Sequence, residues 1–354
     1  MHELILDPVD TLADVREDWT RLAERTGNVF STWEWADAWL THVGEGSELA
    51  LATCSRPGGD VVGILPFYVA SARPARTLRF IGQGPADRLG PVCAPEDRAN
   101  VVRALKRALA ERRWDWQVLF ASELPVEEGC GELLGGRVWG SQPSPVLDLT
   151  DLDWDGYLAT RSGNARQQIR RRERRLRKEH RVTIRATSDP GRVEEDLDVF
   201  DHLHRARWGE KSQAFAGDWG RFARDFAQRS SERGWLNLRF MDVDGEPAAC
   251  YFGFRYAGIE NYWQAGRDPR FDELSVGAVL LADTIREAIE SGAREVRFLR
   301  GDEAYKLRYA SHDPGLEARV LSRGALGTMS VTGAATARSL LSYERRQRLA
   351  RLLR

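Results

Sequence analysis

The stretch Glu260–Tyr309, ENYWQAGRDPRFDELSVGAVLLADTIREAIESGAREVRFLRGDEAYKLRY, reads as a strand, a glycine-punctuated loop, an amphipathic helix, a second strand and a polar corner. Asn261, Tyr262, Trp263 and Gln264 carry the aromatic enrichment of a strand, and Gly266 with Asp268-Pro269 is expected to end it. Ser275 stands at a helix N-cap position, with Gly277 just inside. From there Ala278, Leu281, Ala282, Ile285, Ala288 and Ile289 recur at helical spacing, while Asp283, Arg286, Glu287 and Glu290 take the other face. Gly292 supplies the stop. Val296 and Phe298 then alternate with Arg297 and Arg300 as a short strand.

Two parts of this unit carry chemistry. The turn Glu273–Ala278 offers the unpaired amide N–H groups of a helix start, and Gly277 keeps the approach open, an arrangement suited to a pyrophosphate. Most helix starts bind no phosphate, and Asp272 and Glu273 bring negative charge close to this one. The corner Gly301–Tyr309 adds two carboxylates, two phenols and two cations within nine residues, directly after an apolar strand.

At these residues a resemblance appears. The run Tyr262…Gly266…Asp268, then Ser275-x-Gly277, Gly292 and Arg300-Gly301-Asp302-Glu303-x-Tyr305-Lys306 resembles the C-terminal half of the GNAT-fold acyltransferases of the cellulose-biosynthesis acetyltransferase-like branch, relatives of the Fem-type peptidoglycan aminoacyl ligases. The Gly-Asp-Glu-x-Tyr-Lys ending is its most specific part. Where those relatives carry Ser-Pro-Gly, this chain has Ser275-Val276-Gly277, and so lacks a proline that would preset the first helical φ.

Composition bounds the rest. The chain has 354 residues, enough for two domains with cores of their own, and 42% hydrophobic with 30% charged residues is an ordinary globular balance. A formal net charge of -1 gives no global pull toward nucleic acid or membrane. The N-terminal residues lack the apolar core of a signal peptide, and no run approaches a bilayer span, so a cytoplasmic protein is the expectation. Cys54, Cys93, Cys130 and Cys250 are scattered without CxxC spacing, which points to reduced, buried thiols and away from disulfides or zinc. His202 and His204, two apart on a helix, face different ways, and no metal is predicted.

Along the chain, residues 3–7 read as a strand and 10–26 as a helix; Asn28–Trp35 leads into a helix ending near His42. Trp33, Trp35 and Trp39 are either a core corner or a substrate platform bordering the interdomain cleft. Residues 48–54 and 61–69 form an antiparallel pair around Pro57-Gly58-Gly59-Asp60, followed by a strand at 77–81, a helix at 97–112 and a strand at 116–121. This order recurs later: Gly59 matches Gly245, Gly82 matches Gly266 and Val118 matches Phe298, at offsets of 186, 184 and 180. A near-constant offset indicates duplication of one α/β domain. The first copy has Pro95-Glu96-Asp97 at its helix start, which repels phosphate, and lacks the Gly-Asp-Glu-x-Tyr-Lys corner.

The expected fold is therefore α/β (α+β): two tandem GNAT-like domains, each a mixed, mostly antiparallel sheet flanked by helices. A degenerate, substrate-shaping domain covers 1–145, a connecting strand and basic helix 146–180, the catalytic domain 181–325 and a helical tail 326–354. Trp154–Lys178 reads as one helix with nine basic residues between Arg161 and Lys178. It is a solvated face at the domain junction, a binder of an anionic substrate or, against the absence of interleaved aromatics, a nucleic-acid site. The second domain continues with a strand at 182–187, helices at 191–209 and 218–233 and strands at 235–242 and 247–257; a last strand runs through Ala318–Leu321. The tail, with Leu340, Leu341, Leu349, Leu352 and Leu353, either docks on the body or lies on an anionic membrane surface.

The resemblance implies an N-acyltransferase moving an acyl group from acyl-CoA, acetyl-CoA foremost, to an amine of a small-molecule, saccharide or amino-acid-type acceptor. It implies CoA held by Gln264, Ser275, Val276, Gly277 and Ala278, with Trp33, Trp35, Trp208 and Tyr262 on the substrate side. Glu303 or Asp302 is the candidate base, Tyr305 the candidate acid and Lys306 the contact for an oxyanion or a substrate phosphate. The bland counterpart is an ion-pair knot of Asp302, Lys306 and Arg308. A Fem-type ligase using aminoacyl-tRNA and a non-catalytic partner in exopolysaccharide biosynthesis are the alternatives.

Overall fold

The computed structural model describes residues 3–70, 75–209 and 215–337. The first half runs β1 (Ile5–Val9), α1 (Arg16–Thr26), α2 (Trp33–His42), β2 (Glu48–Ser55), β3 (Val61–Ala70), β4 (Thr77–Phe80), β5 (Val92–Cys93), α3 (Arg98–Ala110), β6 (Val118–Pro125), α4 (Cys130–Leu134) and β7 (Arg137–Gln142). The second runs β8 (Val146–Asp148), α5 (Trp154–Thr160), α6 (Gly163–Glu179), β9 (Val182–Ala186), α7 (Val193–Trp208), α8 (Gly217–Glu232) and β10 (Leu236–Val243). It continues through β11 (Glu246–Tyr256), β12 (Ile259–Arg267), α9 (Val276–Glu290), β13 (Glu295–Arg297), α10 (Ala304–Tyr309) and β14 (Leu316–Ser322). The leucines of the tail from Leu340 onward lie outside the described residues. No helix among the described residues is long and apolar enough to cross a membrane.

The two sheets repeat one plan. The first is ordered β1-β2-β3-β4-β6-β14-β7, with β5 pairing β3; the second is ordered β9-β10-β11-β12-β13-β8. Both are antiparallel except at one place, where β4 lies parallel to β6 and β12 parallel to β13. The duplication seen in the glycine offsets is thus a duplication of architecture: two mixed, mostly antiparallel sheets flanked by helices. One strand crosses between the halves. β14, which the sequence places at the end of the second half, pairs β6 and β7 of the first sheet. β8, which opens the second half, pairs β13 of the same half.

Three local readings need correction. The basic segment is two helices, because Arg161 is extended at ψ 155° and the Ser162 side chain accepts from the Ala165 N–H to start α6 afresh. The span 10–26 opens with a short 3-10 turn at Ala13–Val15 before α1. The polar corner after Gly301 winds into α10, whose last carbonyls, Tyr309 and Ala310, accept from Arg161.

One apolar core joins the halves. Trp35 is fully buried, edge-on to Phe30, Phe222, Phe226 and Trp263, so α2 of the first half is packed against α8 and β12 of the second. Burying such a ring contributes roughly 3–5 kcal/mol, judged by what its truncation to alanine costs. The opposite side of the second sheet has its own core, built on Leu147, Tyr157, Tyr251, Leu280 and Ile285. The four cysteines are buried and free.

Candidate active site

The site begins with a divergence of two strands. β12 pairs β13 only from Ile259 to Asn261, then runs on to Arg267 while β13 stops. A bulge opposite Phe252 and Gly253 leaves Trp263 unmatched, which turns the strand there. Gly266 does not end β12 but lets it approach α7: a Cβ at that position would stand 2.5 Å from the His204 nitrogen. Beneath, the buried Glu260 carboxylate accepts from Tyr251 at 2.7 Å, Asn237 at 3.0 Å and Arg255 at 3.0 Å. That fixes Tyr251, whose ring stacks on Tyr262 at 5.0 Å and fixes it in turn.

Two cavities flank Tyr262. The larger, about 380 Å³, lies against α6, α9 and α10, and its floor is Ser275, Val276, Gly277 and Ala278. Ser275 occupies the N-cap position of α9 as the sequence suggests, yet it sits in the left-handed region at φ 57° and its side chain makes no cap hydrogen bond. No acidic residue lies in the first turn of α9, so its positive end faces the cavity unblocked. Asp272 is answered by Arg267 at 2.5 Å, and Arg172, Arg207 and Arg308 add positive charge to the wall. The equivalent helix start in the first half is filled: Glu96 pairs with Arg25 and Asp97 with Arg56. Of the basic run on α6, Arg172 reaches this cavity, while Arg170, Arg175 and Arg177 pair with Asp155, Glu179 and Glu173.

The smaller cavity, about 110 Å³, lies where the halves meet and is lined by Asp87, Trp208, Trp263, Gln264, Arg300, Glu303 and Lys306 with the shared wall described below. After β13 the chain turns through Leu299, left-handed at φ 58°, which aims Arg300 into the first half. There Arg300 meets Asp87 at 2.5 Å, Glu123 at 3.3 Å and the Gly84 carbonyl at 2.6 Å. Lys306 donates to the Arg300 carbonyl at 2.6 Å and pairs with Glu303 at 3.0 Å. Asp87 is fully enclosed; burial pushes its carboxyl up to about 6, against the pull of Arg300 and Lys306.

Arg207, Tyr262, Ala265 and Tyr305 line both cavities. The Tyr305 hydroxyl donates to that of Tyr262 at 3.2 Å, and burial holds the Tyr262 phenol well above its ordinary range, hence protonated.

The residues singled out in the sequence distribute unevenly over this geometry. Ser275, Val276, Gly277 and Ala278 form the floor of the larger cavity, and Tyr262 and Tyr305 stand between the two. Glu303 and Trp208 line the smaller one, Trp208 exposed and donating to the Ala265 carbonyl. Gln264, read on the cofactor side, faces the smaller cavity and bonds His204, since the bulge reverses the alternation there. Asp302 is exposed and lines neither cavity; the lysine's partner is Glu303, not Asp302. Trp33 and Trp35 are no platform: both are enclosed in the core, Trp33 donating to the Leu12 carbonyl, so neither offers a face to an acceptor. Asp87 was not among the candidates, and Arg207 stood out only within the helix end Arg207-Trp208-Gly209 near an acceptor entrance, because nothing in a local pattern says that a loop of the first half and the end of α7 meet at α10.

Comparison with known proteins bears on the fold. No curated protein matches the sequence. The crystal structure of FemX superposes over 89% of this chain and 97% of its own with a TM-score of 0.64 at 11% identity. The C-terminal domain of a putative lysylphosphatidylglycerol synthetase from Agrobacterium fabrum covers 92% of this chain and 97% of its own, with a TM-score of 0.56 at 15% identity. L-PGS from Bacillus licheniformis covers 86% and 95%, with a TM-score of 0.55 at 13% identity. At such identities these likenesses speak for the fold. Residues 163–307, which carry α6, β12, α9 and the shared tyrosines, match the acetyltransferase (GNAT) domain family.

Proposed function

We propose that the protein is an N-acyltransferase, with an acyl-CoA in the larger cavity and a primary amine of a small-molecule, saccharide or amino-acid-type acceptor in the smaller. The observation that carries this is the shared wall: a donor and an acceptor in separate cavities would meet at Tyr262 and Tyr305. The start of α9 suits a pyrophosphate, and Arg172 and Arg308 supply further positive charge beside it. Holding both reactants at one junction supplies the proximity term of the rate.

The chemistry follows from the side chains. Glu303, steadied by Lys306, accepts a proton from the incoming ammonium, leaving a neutral nitrogen to attack the thioester carbon. A C–N bond forms as the carbonyl pair moves to oxygen; the pair returns, the C–S bond breaks, and Tyr305 protonates the departing thiolate. Glu303 passes the ammonium's proton to solvent and takes the second proton from the nitrogen as the C–N bond forms; that proton restores Tyr305 through solvent, so the products are an amide, free CoA and one released proton. Lys306, with its ammonium committed to Arg300 and Glu303, positions the base and is not itself the oxyanion contact.

A second reading, a Fem-type ligase taking an aminoacyl-tRNA, is favoured by the exposed Arg171 and Arg174 on α6 beside the larger cavity. Calorimetric titration separates the two. A Cβ at Gly277 would meet only the Arg267 Cδ, at 3.8 Å, so Gly277→Ala should keep acyl-CoA affinity while Gly277→Trp, filling the cavity, should lower it at least about tenfold. Wild-type protein that ignores acetyl-CoA and longer acyl-CoAs but shifts charged tRNA would establish the second reading instead.

A further inference from the structure

We propose that Arg207 is a catalytic residue of the acyl-transfer step, donating from its guanidinium to the oxyanion that forms on the acyl carbonyl. The inference rests on the acyl-transfer reading above, not on the choice of donor, because an ester and a thioester both pass through the same oxyanion.

Position singles this side chain out. Of the four residues lining both cavities, Arg207 is the one that carries charge, and the acyl carbon has to lie between those cavities. The other cations nearby are engaged elsewhere. Arg300 is held by Asp87 and Glu123, Lys306 by Glu303 and the Arg300 carbonyl, and Arg267 by Asp272. Arg172 and Arg308 reach the larger cavity alone. Arg207 is half-buried and has no carboxylate at ion-pair distance among the described residues. It lies over the Trp208 ring at 4.4 Å and stands beside Tyr262 in the wall that the two cavities share.

Chemistry fits the position. A guanidinium stays protonated throughout and presents several N–H donors in a rigid fork, so it can meet the oxyanion with more than one N–H. As nitrogen attacks, the carbonyl pair moves onto oxygen and that charge appears beside Arg207; as the pair returns and the sulfur or ester oxygen leaves, the charge goes with the leaving group, which Tyr305 protonates. Electrostatic stabilisation at the point where charge develops is the kind of contact that raises kcat more than it lowers KM.

The competing role for the same arginine is to clamp a carboxylate of the acceptor, which would show as a raised KM for such acceptors alone. Steady-state thiol release from acetyl-CoA, with glycine, glycinamide and hydroxylamine as probe acceptors, separates the two for wild type, Arg207→Lys and Arg207→Met, each checked for an unchanged thermal melt. A second donor arm uses a mixed aminoacyl-tRNA pool with the same acceptors. The expected result is a fall in kcat of about 10²–10³-fold for Arg207→Met, equal for glycine and glycinamide, with KM for the donor nearly unchanged and partial rescue by Arg207→Lys. Undiminished turnover in Arg207→Met, or a loss confined to KM for glycine, overturns the inference while leaving the acyl-transfer reading in place. A wild type that consumes neither donor overturns that reading, and this inference with it.

Discussion

Asp87 shows what the junction of the two halves does to a single side chain. Its carboxyl, enclosed beside Arg300, Lys306 and Glu303, is pushed from an ordinary 3.8 to about 6, burial outweighing the two cations and Glu303 adding to the rise. The folded chain therefore binds a proton that the unfolded chain has already released between those values. By linkage, the stability due to this group is fully present below about pH 4 and is lost as pH rises through 6, a change of about 3 kcal/mol at most. Asp87→Asn removes the slope, whatever constant offset the lost Arg300 contact adds. Urea titrations from pH 4 to pH 7.5 should show wild type gaining on the variant as the solution is acidified; parallel profiles would mean that Asp87 does not titrate there. At this scale the sequence was half legible. Tyr305, Glu303 and the Ser275–Ala278 turn, which line the cavities, stand out in the sequence because residue type and local spacing mark them. The meeting of Asp87 and Arg207 with the corner at α10 could not be read there, since Asp87 is more than a hundred residues from Arg300 and Arg207 about fifty from Tyr262.

The element that sets the geometry of the site is β12, and what it needs is closeness to α7. A glycine inside a strand pattern is a signal of a bulge or of a near backbone, and both occur here: the bulge at Trp263 and the approach at Gly266. The approach is to the main chain of Leu203 and His204, which cannot step aside as a side-chain tip would. Gly266→Ala should therefore destabilise the protein by roughly 1–3 kcal/mol in chemical denaturation. Because α7 ends in Arg207 and Trp208, and the Trp208 indole is held by the Ala265 carbonyl, the same change should weaken the proposed acyl-CoA binding even in the folded fraction. Intact stability would mean that α7 can slide along β12. Helix and strand types were readable from periodicity, while the break between α5 and α6 and the winding of α10 were not. Ser162 offers a cap within a sequence that is otherwise continuously helical, and six residues of α10 are too few for a period to show.

At the scale of the whole molecule the halves are not separable beads. β14 lies between β6 and β7 of the first sheet, so the first half completes its sheet with a strand that the chain reaches only at the end of the second, whereas the second sheet is closed beside β13 by β8 from the start of its own half. Periodicity identifies 318–321 as a strand but carries no address, because a short alternating segment fits any edge of matching pattern. The consequence is testable by cutting the chain. A fragment of residues 1–145 keeps β6 and β7 but loses the strand between them, exposing two unpaired edges and the apolar side chains of Leu119 and Ala121 that β14 helps to cover. A fragment of residues 146–354 carries β14 with no sheet to join, and leaves Phe222, Phe226 and Trp263 without Trp35. Each fragment alone should show no cooperative urea transition and should aggregate, whereas the two expressed together should assemble and melt in one transition. A cooperative transition in the isolated 1–145 fragment would show that the first sheet tolerates the loss of β14, and the strand exchange would then be a means of joining the halves and not a condition of folding either.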